Sequence, residues 1–158
     1  MAYWLIKTEA SCYSINDLKR DKIAPWTGIR NYQARNFMRD DMRPGDYALF
    51  YHSNGSTQSP AGVYGVAKVS GKAYPDPTQF DMKDEHYDPK ATIATPIWVC
   101  VDMKFVKKFK AVVTLTELKK NPTLRDMAVC QRGTRLSVLP VAPDEFETVT
   151  KLADSMVD

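Results

Sequence analysis

Two closely spaced segments limit the folds open to this chain more than any other feature. From Asp46 to Ser53, Tyr47, Leu49 and Tyr51 alternate with Ala48, Phe50 and His52, the period of two that marks a strand. Ala61 to Ser70 is a second strand, rich in Val and Tyr, with glycines at 62 and 65. The connection, Ser53 to Pro60, is too long for a tight hairpin turn. The two strands are therefore expected to pair beneath a loop that hangs at the rim of a neighbouring site.

Around this pair the remaining elements are short. Tyr3 to Lys7 reads as an opening strand, and Ser14 with Asp17 three positions on forms a capping box for a brief helix. Asn31 caps a second helix through Ala34, Phe37 and Met38, which ends before Pro44 because proline pushes the preceding residue out of the α region. Tyr74 to Pro89 reads as a long surface loop, in which Asp76 and Asp81 have structural or solvated roles, and Pro96 to Phe105 as the strongest strand. Helices over Leu115–Lys120 and Thr123–Cys130, a strand over Leu136–Val141 ended by proline and a helix over Asp144–Ala153 complete the chain. Strands and short helices without regular βαβ alternation imply an α+β fold around a small curved sheet or barrel. Glycines at 62, 65 and 71 supply its bends. With no repeats, low-complexity tracts or linkers, residues 1–158 are expected to form a single domain.

Composition narrows the function. No segment approaches the ~20 apolar residues of a membrane span, and Lys7 and Glu9 break the N-terminal apolar start before a signal-peptide core forms, so a cytoplasmic protein is expected. Cys12, Cys100 and Cys130 are odd in number and widely spaced, which reads as reduced thiols. With only His52 and His86 available, no zinc cluster of recognisable spacing can be assembled, and no metal or cofactor is expected. The net charge of +3 tolerates a polyanion without requiring one, although Lys19, Arg20, Lys22, Arg30, Arg35, Arg39 and Arg43 crowd the N-terminal third. No P-loop, G-x-G-x-x-G or G-x-S-x-G is present. Adjacent His52 and Ser53 point to opposite faces of a strand and cannot activate each other.

The chemistry concentrates between Trp26 and Phe37, W-T-G-I-R-N-Y-Q-A-R-N-F. Trp26 lies outside any periodic apolar segment, in a turn before a helix N-terminus, whereas Trp4 and Trp98 sit in apolar strands and read as core. Arg30, Asn31, Tyr32 and Gln33 fill the turn after it. Arg35 and Arg39 lie one helical turn apart, either as a phosphate stripe relieved by Asp40 and Asp41 or with Arg35 turned inward as a brace. Tyr51 and His52, at the end of the nearby strand, are the partners placed to complete the site. An aromatic face with amide, guanidinium, imidazole and hydroxyl groups around it suits a planar, polar-edged ring, of which a nucleobase is the obvious case.

These residues closely resemble the EVE domain family. The resemblance is carried by Y-W-L-I-K-T-E, W-T-G-I-R-N-Y-Q-A-R-N-F, G-D-Y-A-L-F-Y-H-S, G-V-Y-G-V-A-K-V, Y-P-D-P-T-Q-F-D and R-L-S-V-L-P-V, in order along nearly the whole chain. It implies an α+β, PUA-like fold, a curved mixed β-barrel flanked by short helices. It further implies a module that binds nucleic acid containing a modified base, a flipped modified cytosine in DNA. By the same motifs it implies Trp26 as the stacking platform, Asn31, Tyr51, His52 and Ser53 as edge and wall contacts, and Arg135 and Ser137 as supporting polar groups. Two further readings stay open: a PUA-type RNA-binding module, and an enzyme acting on a nucleotide or small heterocycle.

Overall fold

A computed structural model describes residues 1–133 and 135–156. Its strands are β1 (Tyr3–Glu9), β2 (Ile23–Pro25), β3 (Tyr47–Ser53), β4 (Gly62–Val69), β5 (Tyr74–Pro75), β6 (Val99–Cys100), β7 (Asp102–Thr114) and β8 (Val138–Val141). The helices are α1 (Ile15–Asp21), α2 (Tyr32–Asn36), α3 (Leu115–Lys120) and α4 (Pro143–Ser155).

Six strands form one curled sheet in the order β2-β7-β4-β3-β1-β8, with β2 and β8 as its unpaired edges. β1 and β3 run parallel, Tyr3 opposite Tyr47 through Glu9 opposite Ser53, and every other pair in the sheet is antiparallel. The result is the expected mixed, curved α+β architecture, a half-barrel open between β2 and β8. The pairing of β4 with β7 is irregular: the register slips between Val63 and Gly65 and again between Val66 and Ala67, and a Cβ on Gly65 would run into the Lys107 carbonyl oxygen. Only glycine lets the two backbones approach so closely.

Strand alternation sorts side chains into two cores. Ala48 and Phe50 join Trp4, Ile6, Trp26 and Met38 on one face, beneath α1 and α2. Leu49 and Tyr51 join Leu5, Phe109, Leu118, Leu139 and Val149 on the other, beneath α3 and α4. The helices begin where local chemistry says they should. Ser14 Oγ accepts from Asp17 N–H at 3.2 Å while Asp17 returns a carboxylate to the Ser14 N–H, and Thr114 and Glu117 repeat the device for α3. α2 runs into a single π turn, Phe37–Asp41, and stops before Pro44.

Several expectations need correction. The strand expected over Pro96–Phe105 is a two-residue β6 followed by the 13-residue β7, which continues to Thr114. Exposed Lys104, Lys107, Lys108 and Lys110 interrupt its apolar pattern, so periodicity understates its length. Thr123–Cys130 is a set of turns closing in a short 3₁₀ turn over Ala128–Cys130 rather than one helix. β8 begins at Val138 and retains exposed Pro140, tolerated because an edge strand has backbone N–H groups that no neighbour needs. The Tyr74–Pro89 segment is not simply surface: β5 pairs with β6, and Asp76 and Gln79 within it are fully buried. Gln79 acts as a backbone surrogate, donating to the Asp76 and Trp98 carbonyls and accepting from the Ile97 and Trp98 N–H groups.

Candidate functional site

The gap between the free edges β2 and β8 opens into a cavity of about 600 Å³, within the ~300–1,000 Å³ usual for small-ligand sites. Its wall comprises the end of β1 (Lys7 to Glu9), Cys12 and Tyr13, the run from Ala24 to Ile29, Ser53, Glu85 and His86, and Arg135 to Ser137 before β8. The site is thus a product of sheet curvature, since its two sides lie more than 100 residues apart in the chain.

Trp26 is both core residue and wall. Its backbone N–H donates to the Val101 carbonyl at 2.7 Å, and its indole meets Phe50 and Tyr13 edge-on at centroid distances of 5.5 and 6.1 Å. Only 7% of the residue is exposed, and it borders the cavity. Such packing holds the ring rigidly at the wall. Tyr13 is oriented by donating its hydroxyl to Asp21 at 2.8 Å, and burial with that bond raises its pKa.

Behind the wall lies a buried polar clasp. Asp76, fully buried, accepts from the Gly28 N–H at 2.8 Å, from Arg30 Nη1 at 3.1 Å and from the Thr78 N–H and hydroxyl at 2.8 and 2.6 Å. Burial alone would raise the carboxyl's pKa; the bonds from Thr78, Gly28 and Arg30 outweigh it and hold the group below its ordinary value. Arg30 also donates to the Thr78 hydroxyl and to the His86 carbonyl, both at 2.9 Å. Gly28 has φ +81°, and a Cβ there would lie 2.9, 3.0 and 3.2 Å from three atoms of the His86 imidazole. Those near-equal distances place the ring flat over the glycine, a contact no other residue type permits.

The residues expected at the site divide into three groups. Trp26, Ser53, Arg135 and Ser137 line the cavity. Arg30, Asn31, Tyr32 and Arg35 stand behind or beside it. The Asn31 side-chain oxygen caps α2, accepting from the Ala34 N–H at 3.1 Å. Tyr32 packs on Trp98 at 4.8 Å, with Arg35 4.8 Å above the tyrosine ring and Arg30 5.4 Å above the indole. Arg35 also donates to the Ile97 carbonyl and to Asn36, so it braces the fold, and Arg39 pairs with Asp40; these two arginines form no open phosphate stripe. Tyr51 and His52 make up the third group and point elsewhere. Tyr51 is in the opposite core, where burial raises its pKa to about 12. His52 Nε2 accepts from the Ile15 N–H at 3.1 Å, and its ring stacks on Tyr64 at 3.9 Å, which ties α1 to β3. Burial lowers its pKa to about 4, and its Nδ1 is buried without a partner among the described residues. Ser53 Oγ donates to the Thr8 carbonyl, so His52 and Ser53 form no nucleophile and base.

Residue-level reading missed Lys7, Tyr13 and His86 in the wall. Lys7 sits in an apolar strand and His86 in an acidic loop, and nothing local marks either. Among the described residues neither the Lys7 ammonium nor the Arg135 guanidinium has a hydrogen-bond or ion-pair partner, and burial lowers the Lys7 pKa. No group of His, Cys, Asp or Glu among the described residues could hold a metal ion, and no helix is long and apolar enough to cross a membrane. Cys100 is buried, which raises its thiol pKa to about 11.

Comparison with known proteins agrees with this architecture. The EVE domain profile matches residues 2–152. Thymocyte nuclear protein 1 of Danio rerio is 42% identical over 168 residues, covering 94% of this chain and 71% of that protein. A Leishmania major protein of solved structure superposes with a TM-score of 0.93 at 43% identity, covering 100% of this chain and 98% of that one. Human THYN1, crystallised in complex with 5-methylcytosine-containing DNA, superposes with a TM-score of 0.88 at 37% identity, covering 98% of each chain.

Proposed function

The chain belongs to the EVE domain family, and on that premise we propose that it binds DNA carrying a modified cytosine, receiving the extruded base in the cavity between β2 and β8. The observation that carries this reading is the cavity's make-up: an indole wall beside polar groups and two cations that have no hydrogen-bond or ion-pair partner among the described residues. The base enters beside Trp26, whose packing against Phe50 and Tyr13 keeps the platform in place before the guest arrives. Extruding a base costs a few kcal/mol, which stacking at ~1–3 kcal/mol per base offsets together with phosphate contacts. Lys7 and Arg135 supply those contacts, so affinity falls with salt. The likeness to human THYN1, seen with 5-methylcytosine DNA, supports the choice of DNA and of cytosine. The role is one of binding without catalysis.

The test is fluorescence anisotropy on labelled duplexes that differ only in one central cytosine. A 5-methyl group seated in an apolar niche is worth ~1–3 kcal/mol, so the methylated duplex binds roughly tenfold tighter or better. Equal affinities for methylated and unmethylated duplexes would refute the proposal.

A further inference from the structure

We propose that His86 is the specificity-determining residue of the cavity, reading the exocyclic amino group of the guest cytosine through Nε2 and so distinguishing 5-methylcytosine from thymine. This rests on the base-binding reading of the cavity and assigns its selectivity to a residue outside every motif that carries the family resemblance.

The argument is one of positioning. His86 is held from three directions: its ring face lies on Gly28, its backbone carbonyl accepts from Arg30 Nε at 2.9 Å, and Asp84 Oδ1 takes both the His86 backbone N–H at 2.8 Å and ring Nδ1 at 3.0 Å. Arg30 and Gly28 are themselves tied to buried Asp76. An exposed loop histidine with no task has no need of such support, because a surface side chain gains little from being ordered. Here the ring borders a cavity and its orientation is set from behind.

The bond to Asp84 also decides what the ring offers. A carboxylate only accepts, so Nδ1 carries the hydrogen, and in the neutral imidazole Nε2 is then an acceptor. Among the described residues Nε2 has no hydrogen-bond partner; Glu85 Oε1 is 3.7 Å away on a largely exposed side chain, beyond hydrogen-bonding range. An acceptor at a cavity wall selects a guest that presents N–H. 5-Methylcytosine and thymine share the ring and the methyl group, and differ in that the 4-position bears an amine in one and a carbonyl oxygen in the other. An acceptor bonds the first and repels the second.

The test places 5-methylcytosine or thymine opposite an abasic site in otherwise identical duplexes, so that base pairing does not contribute to the comparison. The wild-type protein is expected to prefer 5-methylcytosine over thymine by about tenfold or more. His86→Ala should bring that ratio close to one while the melting temperature holds, and His86→Gln, whose amide oxygen also accepts, should restore part of it. Asp84→Asn, a change in a positioning residue that frees the tautomer, should lower the ratio without removing the methyl preference over plain cytosine. If His86→Ala keeps the wild-type ratio, the assignment to His86 is overturned and the base-binding reading stands. If the wild-type protein fails to prefer methylated over plain cytosine, that reading falls and the assignment falls with it.

Discussion

Two clusters of cations and aromatic rings lie close to one another in this protein and differ in how far their cations are engaged. At Trp98, Arg30 and Arg35 stack over the rings of Trp98 and Tyr32, and their N–H groups are taken up by Asp76, Thr78, Asn36 and the carbonyls of Ile97 and His86. At the cavity, Lys7 and Arg135 have no partner among the described residues, and Trp26 keeps one side at an open wall. The first cluster is the denser in sequence and braces the fold; the second is scattered through the chain and lines the cavity. Arginine density therefore says little about where a ligand binds. What distinguishes the two is whether the protein's own acceptors have already engaged the cations.

The largest effect should come from breaking the clasp that joins them. Asp76→Ala leaves Arg30 and the Gly28 N–H without their buried acceptor, and such a truncation costs about 3–5 kcal/mol; urea denaturation checks it, and a loss below about 1 kcal/mol would show the clasp to be dispensable.

His52 provides the next. Its folded pKa of about 4 lies below the ordinary 6.5, so the unfolded chain takes up the proton first. Stability is full above pH 6.5, falls as pH drops towards 4 and levels below it, a total of up to about 3 kcal/mol. His52→Gln keeps an acceptor for the Ile15 N–H and should flatten that part of the stability curve; an unchanged slope would mean other groups dominate it.

Gly28→Ala is intermediate. Its φ of +81° costs an L-residue about 1–2 kcal/mol, and the added methyl collides with the His86 ring. Melting should show the modest loss, and binding of methylated duplex should fall by more than stability alone accounts for. The finest comparison sets Tyr32→Ala against Arg135→Ala. The first removes stacking on Trp98 worth about 0.5–1.5 kcal/mol and leaves DNA affinity alone. The second leaves stability within about 0.5 kcal/mol but lowers the slope of log affinity against log salt by about 1. A reversed pattern would exchange the roles of the two clusters.

Much of the fold is legible along the chain because its causes are local. Ser14 with Asp17, Asn31 before α2 and the alternation through Tyr47 to Ser53 all stand where local chemistry puts them. Where reading failed, the cause was non-local. Lysines on the exposed side of β7 hid a 13-residue strand, and Tyr74–Pro89 reads as a surface loop although packing buries Asp76 and Gln79 within it. The site was legible in part. Trp26, Ser53, Arg135 and Ser137 reach the wall, while Tyr51 and His52 turn away because alternation sends them into the packing on either side of β3.

Caps, alternation and motif order, each a matter of neighbouring residues, are enough to establish most of the element types, an α+β fold around a curved sheet and the family. Which polar groups remain free is a different kind of fact. It depends on curvature bringing β1, the turn after β2, the acidic loop and the approach to β8 around one cavity, and on whether each cation met an acceptor first. Those are contacts between residues far apart in the chain, and only the folded arrangement sets them.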